Sequence, residues 1–279
     1  APLAPDAGVD LVCTAEDAPA TRDERQPALT PAAALLDLTA RLHRALDAYV
    51  VRRGDGHTVI AGYPWFLDWG RDTLICARGL LAAGRHEAVR GILTVFGAFE
   101  RDGTLPNCIH GGDASNRETS DAALWFGVVA EDLAAALGSE VYHQTVGEEG
   151  RDLTAVLRSI ACAHLAGCPT GVAVDPDSLL VWSPRHFTWM DTNHPAGTPR
   201  AGYPIEIQVL WWRLLRHLAR IGAEPAPDAD SWDALAARVA TAIGDHFWLD
   251  EHGWWSDCLH AADREPAAAA TADTALRSN

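Results

Sequence analysis

Residues that could do chemistry crowd into one stretch, Ala61-Gly-Tyr-Pro-Trp-Phe-Leu-Asp-Trp-Gly-Arg-Asp-Thr73. Aromatic side chains, Trp65 and Trp69 among them, are interleaved there with the carboxylates of Asp68 and Asp72 and the guanidinium of Arg71. A sugar asks for this mixture. Its axial C–H groups lie against an aromatic face, and each hydroxyl needs a donor or acceptor once water is excluded. The plainer alternative is a buried Trp/Phe loop pinned by an Arg–Asp ion pair, because Trp and Phe are more often core than ligand platform. The density of polar groups among the rings favours a site. Pro64 and Gly70 interrupt regular structure, which predicts a loop, with a helix able to begin at Asp72-Thr73.

A second aromatic and acidic loop is His186-Phe-Thr-Trp-Met-Asp-Thr192. Cleaving a glycosidic bond usually takes two carboxyl groups, one protonated behind the leaving oxygen and one that activates water or attacks carbon. The donor must keep its proton near neutral pH, which burial beside aromatic rings encourages. Asp191 follows Trp189 by two residues and Phe187 by four, a setting of that kind. On local sequence alone an Asx-turn ahead of Asn193 and Pro195 accounts for Asp191 more simply.

Helices must position these loops. Residues 1–29, rich in Ala, Pro and Asp without an apolar period, read as a linker or frayed end. Thr30-Pro31 reads as an N-cap and first helical position, followed by Leu35, Leu38, Leu42, Leu46 and Val50 at helical spacing and a stop at Gly54-Asp55-Gly56. Thr73 to Ala83, closed by Gly84, and residues 86 to 99 predict a helical hairpin with a very short turn. Ala122 to Leu137 is apolar almost all round and should be buried on both sides, with Thr119 or Ser120 as cap and Asp121 early in the helix. A further helix is expected from about 148 to 166, and a short hairpin over 172–182 around Asp-Pro-Asp-Ser.

Pro204 should start a helix with Ile207, Leu210, Trp211, Leu214, Leu218 and Ile221 as its apolar stripe. Arg213, Arg216, His217 and Arg220 read as its solvated face. Another helix spans about 231 to 249, and Gly253 to Asp257 reads as a short strand or loop. Long loops fall at alternate joints. Helix pairs with their long loops gathered at one end would place function in those loops.

Composition bounds the rest. The 279 residues are 48% hydrophobic and 22% charged, ordinary for a globular protein. A net charge of −16 argues against nucleic acid or an anionic membrane surface as partner and suits a neutral ligand. No run of about 18 apolar residues predicts a membrane span. The six cysteines form no CxxC pair, so neither a metal site nor a cofactor is expected, and Cys76 and Cys162 read as small buried hydrophobes. A reducing cytoplasm is the simpler setting for such cysteine usage. The chain begins with Ala and shows no signal peptide at its N-terminus, which reads as a fragment or a processed chain.

Several motifs, in order, resemble the C-terminal domain of the glycogen debranching enzyme, the amylo-α-1,6-glucosidase family. They are Ala61–Thr73, Leu105-Pro-Asn107, Asp121-Ala-Ala-Leu-Trp-Phe126, Thr188-Trp-Met-Asp191 and Thr198-Pro-Arg-Ala-Gly-Tyr-Pro-Ile-Glu-Ile-Gln-Val-Leu-Trp211. The resemblance covers about residues 30–279. It implies an all-α fold, the (α/α)6 toroid of six-hairpin glycosidases, and inverting hydrolysis of α-1,6-linked glucose on trimmed glycogen branches. The expected partner is an α-glucan or oligosaccharide.

Trp69-Gly-Arg-Asp72 is similar to the glucoamylase loop that grips the non-reducing glucose, which implies that Arg71 and Asp72 hold sugar hydroxyls. Asp191 matches the family's general acid. Trp65, Asp68, Trp69, Asp121, Trp125, Trp189 and Glu206 match positions that bind substrate or line the pocket; cap and core functions for Asp121 and Trp125, and a helix-dipole function for Glu206, stay open. Arg117-Glu118 stands where the family often has Tyr-Asn, which bears on the outer subsite. The chain stops at Leu276-Arg-Ser-Asn279, similar to a family Leu-Arg-Pro-Asn motif, and the resemblance implies that the last helices and the general base follow it. Other toroidal α-glucosidases (glucoamylase, trehalase, glucosylglycerate hydrolase) and a non-catalytic carbohydrate-binding domain are the alternative readings.

Overall fold

The computed structural model describes residues 37–147, 150–192 and 200–277. Two compact units divide the chain, Ala1–Ala45 and Leu46–Asn279. In the first, the described residues are the opening turns of helix α1, Leu38–Tyr49, where the Asp37 carboxylate accepts the Ala40 N–H at 2.8 Å. That is an N-cap contact. The expected cap at Thr30-Pro31, the leading Leu35 and the linker over residues 1–29 lie outside the described residues.

In the second unit, Val50 does not continue the helix. Val50–Arg53 pairs antiparallel with Gly56–Val59, so Gly54-Asp55 is a hairpin turn and not a helix stop. Paired β-branched residues beside a Gly-containing two-residue turn carry the strand preference. The further helices are α2 Gly70–Ala82, α3 His86–Ala98, α4 Ala122–Leu137, α5 Leu153–Ala166, α6 Ile205–Arg220 and α7 Trp232–Phe247. Helices α2, α4 and α6 pack on one another in succession, and α3, α5 and α7 flank them. This alternation of inner and outer helices is that of an α/α toroid, the expected all-α class.

The sequence explains the layering. α4 is buried at every position from Ala122 to Ala130 except Trp125, as an all-round apolar helix between neighbours must be. α6 buries Ile207, Leu210, Trp211, Leu214 and Leu218 as expected. Its other face is only partly solvated. Arg216 and Arg220 are exposed, but His217 is 1% exposed and its Nε2 lies 2.7 Å from the Tyr142 hydroxyl. Arg213 and Arg220 both pair with Glu131 of α4, and Arg213 also with Asp132. Packing against α4 converts what periodicity alone reads as a wet face into an ion-paired seam.

Short β-ribbons join the helices. Arg151–Asp152 pairs with Thr145–Val146, and Asp152 then caps α5 by accepting the Ala155 N–H at 2.8 Å, so that helix starts later than residue 148. Ala173–Val174 pairs with Val181–Trp182 in the expected hairpin, and Trp254–Trp255 with Trp248–Leu249. A three-stranded sheet sets Cys258–His260 between Gly202–Pro204 and Thr271–Ala272. At Gly202 (φ +134°) a Cβ would lie 2.1 Å from the Leu259 carbonyl oxygen, so the two paired strands come together where only glycine fits. Among the described residues no helix is long and apolar enough to cross a membrane.

Candidate active site

The residues singled out by chemistry gather at the N-terminal ends of the inner helices. Arg71 and Asp72 lie in the first turn of α2, Asp121 is the residue that precedes α4, and Glu206 lies in the first turn of α6. Helix N-termini carry partial positive charge and favour carboxylates. The α2 end is held by Gly70, which opens the helix instead of breaking the chain. Its N–H donates to the Asn107 carbonyl at 2.9 Å, and a Cβ there would lie 2.5 Å from the Pro106 oxygen. The missing side chain is what lets the α2 end press onto the 106–107 segment.

Arg71 is the centre of the arrangement. Its Nε donates to Asp121 Oδ2 at 2.5 Å and its Nη1 to Asp191 Oδ2 at 3.2 Å. Asp121 is 2% exposed and does not cap α4; its second oxygen accepts the Thr119 hydroxyl at 2.7 Å. Burial works against the charge on Arg71, but the attraction and hydrogen bond of Asp121, then those of Asp191, hold its pKa above the ordinary value. The Asp191 side chain is 38% exposed, so one face of the ion pair is open. The pair is not isolated from Asp72. Desolvation raises the Asp72 pKa, Arg71 opposes the rise, and Asp191 and Asp121 add to it. Asp72 itself reaches the surface.

The start of α4 also fastens the loop that delivers Asp191. The Ser120 N–H donates to the Phe187 carbonyl at 2.8 Å, and the Ser120 and Ser183 hydroxyls lie 2.7 Å apart. Trp189, 46% exposed, rides on that loop.

A second cluster stands one turn further along α4. Trp125 and Glu206 line a cavity of about 620 Å³ together with Trp254, Trp255, Asp257 and Arg277. Its walls are largely apolar. Arg71 and Asp191 are not part of the lining, but Asp121 and Trp125 are joined by an α-helical hydrogen bond, so the ion-paired cluster and the cavity are consecutive along one helix. Glu206 is gripped by Arg200, whose Nη1 and Nη2 donate to its two oxygens at 2.7 Å each. Arg200 is 1% exposed and reaches further, to the Thr188 hydroxyl at 3.1 Å and to the Asp257 carbonyl at 3.0 Å. Its Nε lies 3.0 Å from Asp257 Oδ2, and Arg277 approaches that oxygen at 3.1 Å. Burial opposes the Arg200 charge most strongly, and the hydrogen bonds and attraction of Glu206, together with the attraction of Asp257, still raise its pKa.

Two expected site residues do not join these clusters. Asp68 is fully buried, and both its oxygens are taken by Arg53, at 2.6 and 2.8 Å. Arg53 also donates to the Gly111 carbonyl, so Asp68 clamps the 50–59 hairpin to the 108–111 segment and has no oxygen turned toward a ligand. Trp65 is 80% exposed on the 61–67 loop. Trp69 is half-buried in the Asp68–Trp69 strand, which pairs with Cys108–Ile109 and leads directly into Arg71. Arg200, Thr188, Asp257, Trp254 and Trp255 were not marked as site residues by sequence reasoning. The local signal for Arg200 was an arginine six residues ahead of a helix-opening glutamate; its tie to Asp257 has no local signal at all. Among the described residues no group of three or more His, Cys, Asp or Glu side chains could hold a metal ion.

The helical alternation defines an all-α toroid, and the acid–guanidinium–acid cluster stands at the N-terminal ends of its inner helices. Residues 44–279 match the family model for amylo-alpha-1,6-glucosidase, and the chain belongs to that family. Among solved structures it is similar to a rhamnosidase from Klebsiella oxytoca with rhamnose bound, at 17% identity and a TM-score of 0.45, over 71% of this chain. The chain spans 35% of the length of that protein.

Proposed function

We propose that this protein is a glycoside hydrolase that removes α-1,6-linked glucose from trimmed branches of a glycogen-type glucan, with inversion at the anomeric carbon. The observation that carries the reading is the Arg71 fork, one buried guanidinium shared by Asp121 and by the half-open Asp191. Family membership and the mixture of carboxylates with indole rings at the same end of the helices support it.

In this reading Arg71 and Asp72 hold hydroxyls of the terminal glucose, and Asp121 keeps Arg71 in place. Asp191 protonates the glycosidic oxygen. A sugar hydroxyl that takes over Nη1 of Arg71 releases Asp191 from its ion pair. Trp125, Glu206 and the adjoining cavity accept the next part of the glucan. The opposing base completes the inverting pair, and none of the carboxylates described above is assigned to it.

The test is glucose release from a phosphorylase limit dextrin and from maltose, followed by proton NMR during the first turnovers. The expected result is faster release from the α-1,6 stub, with β-glucose appearing first. Release of α-glucose first would remove inversion, equal rates on both substrates would remove the linkage assignment, and release from neither by the full-length protein would overturn the reading.

A further inference from the structure

Arg200 stands apart from every other buried cation among the described residues in what it joins. Its guanidinium holds Glu206 of the cavity wall, the main chain and side chain of Asp257, and the hydroxyl of Thr188. Its backbone lies at φ +43°, in the left-handed region that is unfavourable for a residue with a Cβ. A strained backbone at a non-glycine residue persists where surrounding contacts over-determine it, which is common next to functional groups. Here those contacts are the ion pairs just named.

The Thr188 contact gives the arrangement its direction. Thr188 is 2% exposed, and its oxygen accepts from Arg200 Nη1 at 3.1 Å and from the Met190 N–H at 3.4 Å. That turn leads to Asp191 in the following residue. Ser120 holds the same loop from its other side, at Phe187 and Ser183. The loop is therefore pinned upstream of Trp189 by α4, and at Thr188 by Arg200.

We propose that Arg200 is a positioning residue that sets two parts of the site at once, aiming the Glu206 carboxylate along the cavity wall and, through Thr188, fixing the turn that presents Asp191 to Arg71. This rests on the reading of Asp191 as the proton donor. A bidentate fork holds a carboxylate in a plane as a lysine ammonium cannot. The same guanidinium still has an N–H left for Thr188, so the cavity wall and the acid loop are coupled through one side chain.

Two variants test this. Arg200→Gly removes the guanidinium while suiting the backbone at φ +43°, so the side chain's function is separated from strain. Thr188→Val keeps the shape of Thr188 and removes only its hydroxyl. Both are compared with the unaltered protein by amide hydrogen exchange over residues 186–192 and by steady-state kinetics, with and without guanidinium ion at a non-denaturing concentration. In both variants, exchange across 186–192 is expected to quicken by about tenfold or more while α4 and α5 keep their protection. Turnover should fall on the order of 100-fold, more in kcat than in KM, as misplacement of a catalytic group does. Guanidinium ion should restore much of both properties in Arg200→Gly and neither in Thr188→Val, and Thr188→Ser should behave as the unaltered protein.

Unchanged exchange at 186–192 in Arg200→Gly overturns the proposal. So does loss of protection throughout the helices without rescue, which marks Arg200 as a general stabiliser. If the unaltered full-length protein releases no glucose, the hydrolase reading fails, and the exchange results still decide whether Arg200 positions the loop.

Discussion

Arg71 Nη1 and Asp191 Oδ2 lie 3.2 Å apart, although 120 residues separate them in the chain. The contact exists because α2 and α4 meet at their N-terminal ends and α4 fastens the loop that bears Asp191. It is also the shared corner of everything proposed for the site, since the same guanidinium holds the buried Asp121.

Replacing Arg71 by Met should leave Asp121 buried without its charge partner. Breaking a buried pair in this way costs roughly 3–5 kcal/mol, which urea unfolding will show. Arg71→Lys keeps the charge but cannot satisfy two carboxylates from fixed directions, so it should unfold at a urea concentration between the other two. Its kcat/KM for dextrin is expected to fall by roughly 100-fold or more, since a misdirected catalytic group loses rate on that scale. A fully active lysine variant would mean that Arg71 supplies charge alone.

Asp191→Asn removes the transferable proton and keeps the shape. Cleavage of a limit dextrin should fall by about 100- to 10,000-fold, the scale of general acid catalysis. Cleavage of α-glucosyl fluoride should fall much less, because fluoride leaves with little protonation. Equal losses on the two substrates would assign Asp191 to structure or to water activation, and thermal unfolding of the variant separates those two outcomes.

Gly70→Ala introduces a methyl 2.5 Å from the Pro106 oxygen and 3.3 Å from the Ala122 Cβ. The first of these contacts requires backbone movement, at a cost of about 1–3 kcal/mol. Because Arg71 is the next residue, activity should fall more than the lowered melting temperature explains at assay temperature. Retention of full kcat in a stably folded Gly70→Ala protein would show that the α2 end tolerates displacement.

Stability should decline in mild acid before most carboxylates titrate. Burial depresses His217 and His164 to a pKa of about 4 each, against about 6.5 in an unfolded chain. Between those values the unfolded chain binds protons that the folded chain does not, so stability is lost as pH falls from 6.5 toward 4. The loss is roughly 1.4 kcal/mol per pH unit for each histidine in the middle of that window. Urea unfolding at pH 7, 6 and 5 measures the slope, and His217→Gln should remove about half of it. An unchanged slope in that variant would mean that His217 is protonated in the folded protein.

Much of this fold is legible in the sequence. The bounds of α4 follow from its unbroken apolar run and from Gly138, and the 172–182 hairpin from Asp-Pro-Asp-Ser between β-branched residues. Local signals of this kind fail where a partner is distant. Val50 fits a helical period as well as a strand, and only pairing with Val59 decides it. That misreading hid Arg53, and with it the reason Asp68 is unavailable to a ligand. Arg71 stands out by residue type and neighbours, and Asp121 and Asp191 only through the resemblance to family motifs, whereas Arg200 is explained by Asp257, 57 residues later, which no local pattern announces. His217 was misread for the same reason, because its burial belongs to α4 and Tyr142 and not to its own helix.

The strand pairing at Gly202 has a kinetic consequence. The sheet that pairs Pro204 with Cys258 encloses all of α6 and α7 in one loop, and those two helices pack on each other. Closing a loop costs entropy that grows with the logarithm of its effective length, so prior formation of the helix pair brings the strand ends near before they meet. The pairing is then expected to form late, on the native side of the folding barrier. Leu259→Ala, in the buried central strand, should accelerate unfolding and barely change the folding rate, whereas Leu214→Ala in α6 should slow folding. Stopped-flow measurements showing the reverse partition would place the sheet ahead of the helices, and the glycine at 202 would then be a folding nucleus and not a late fastening.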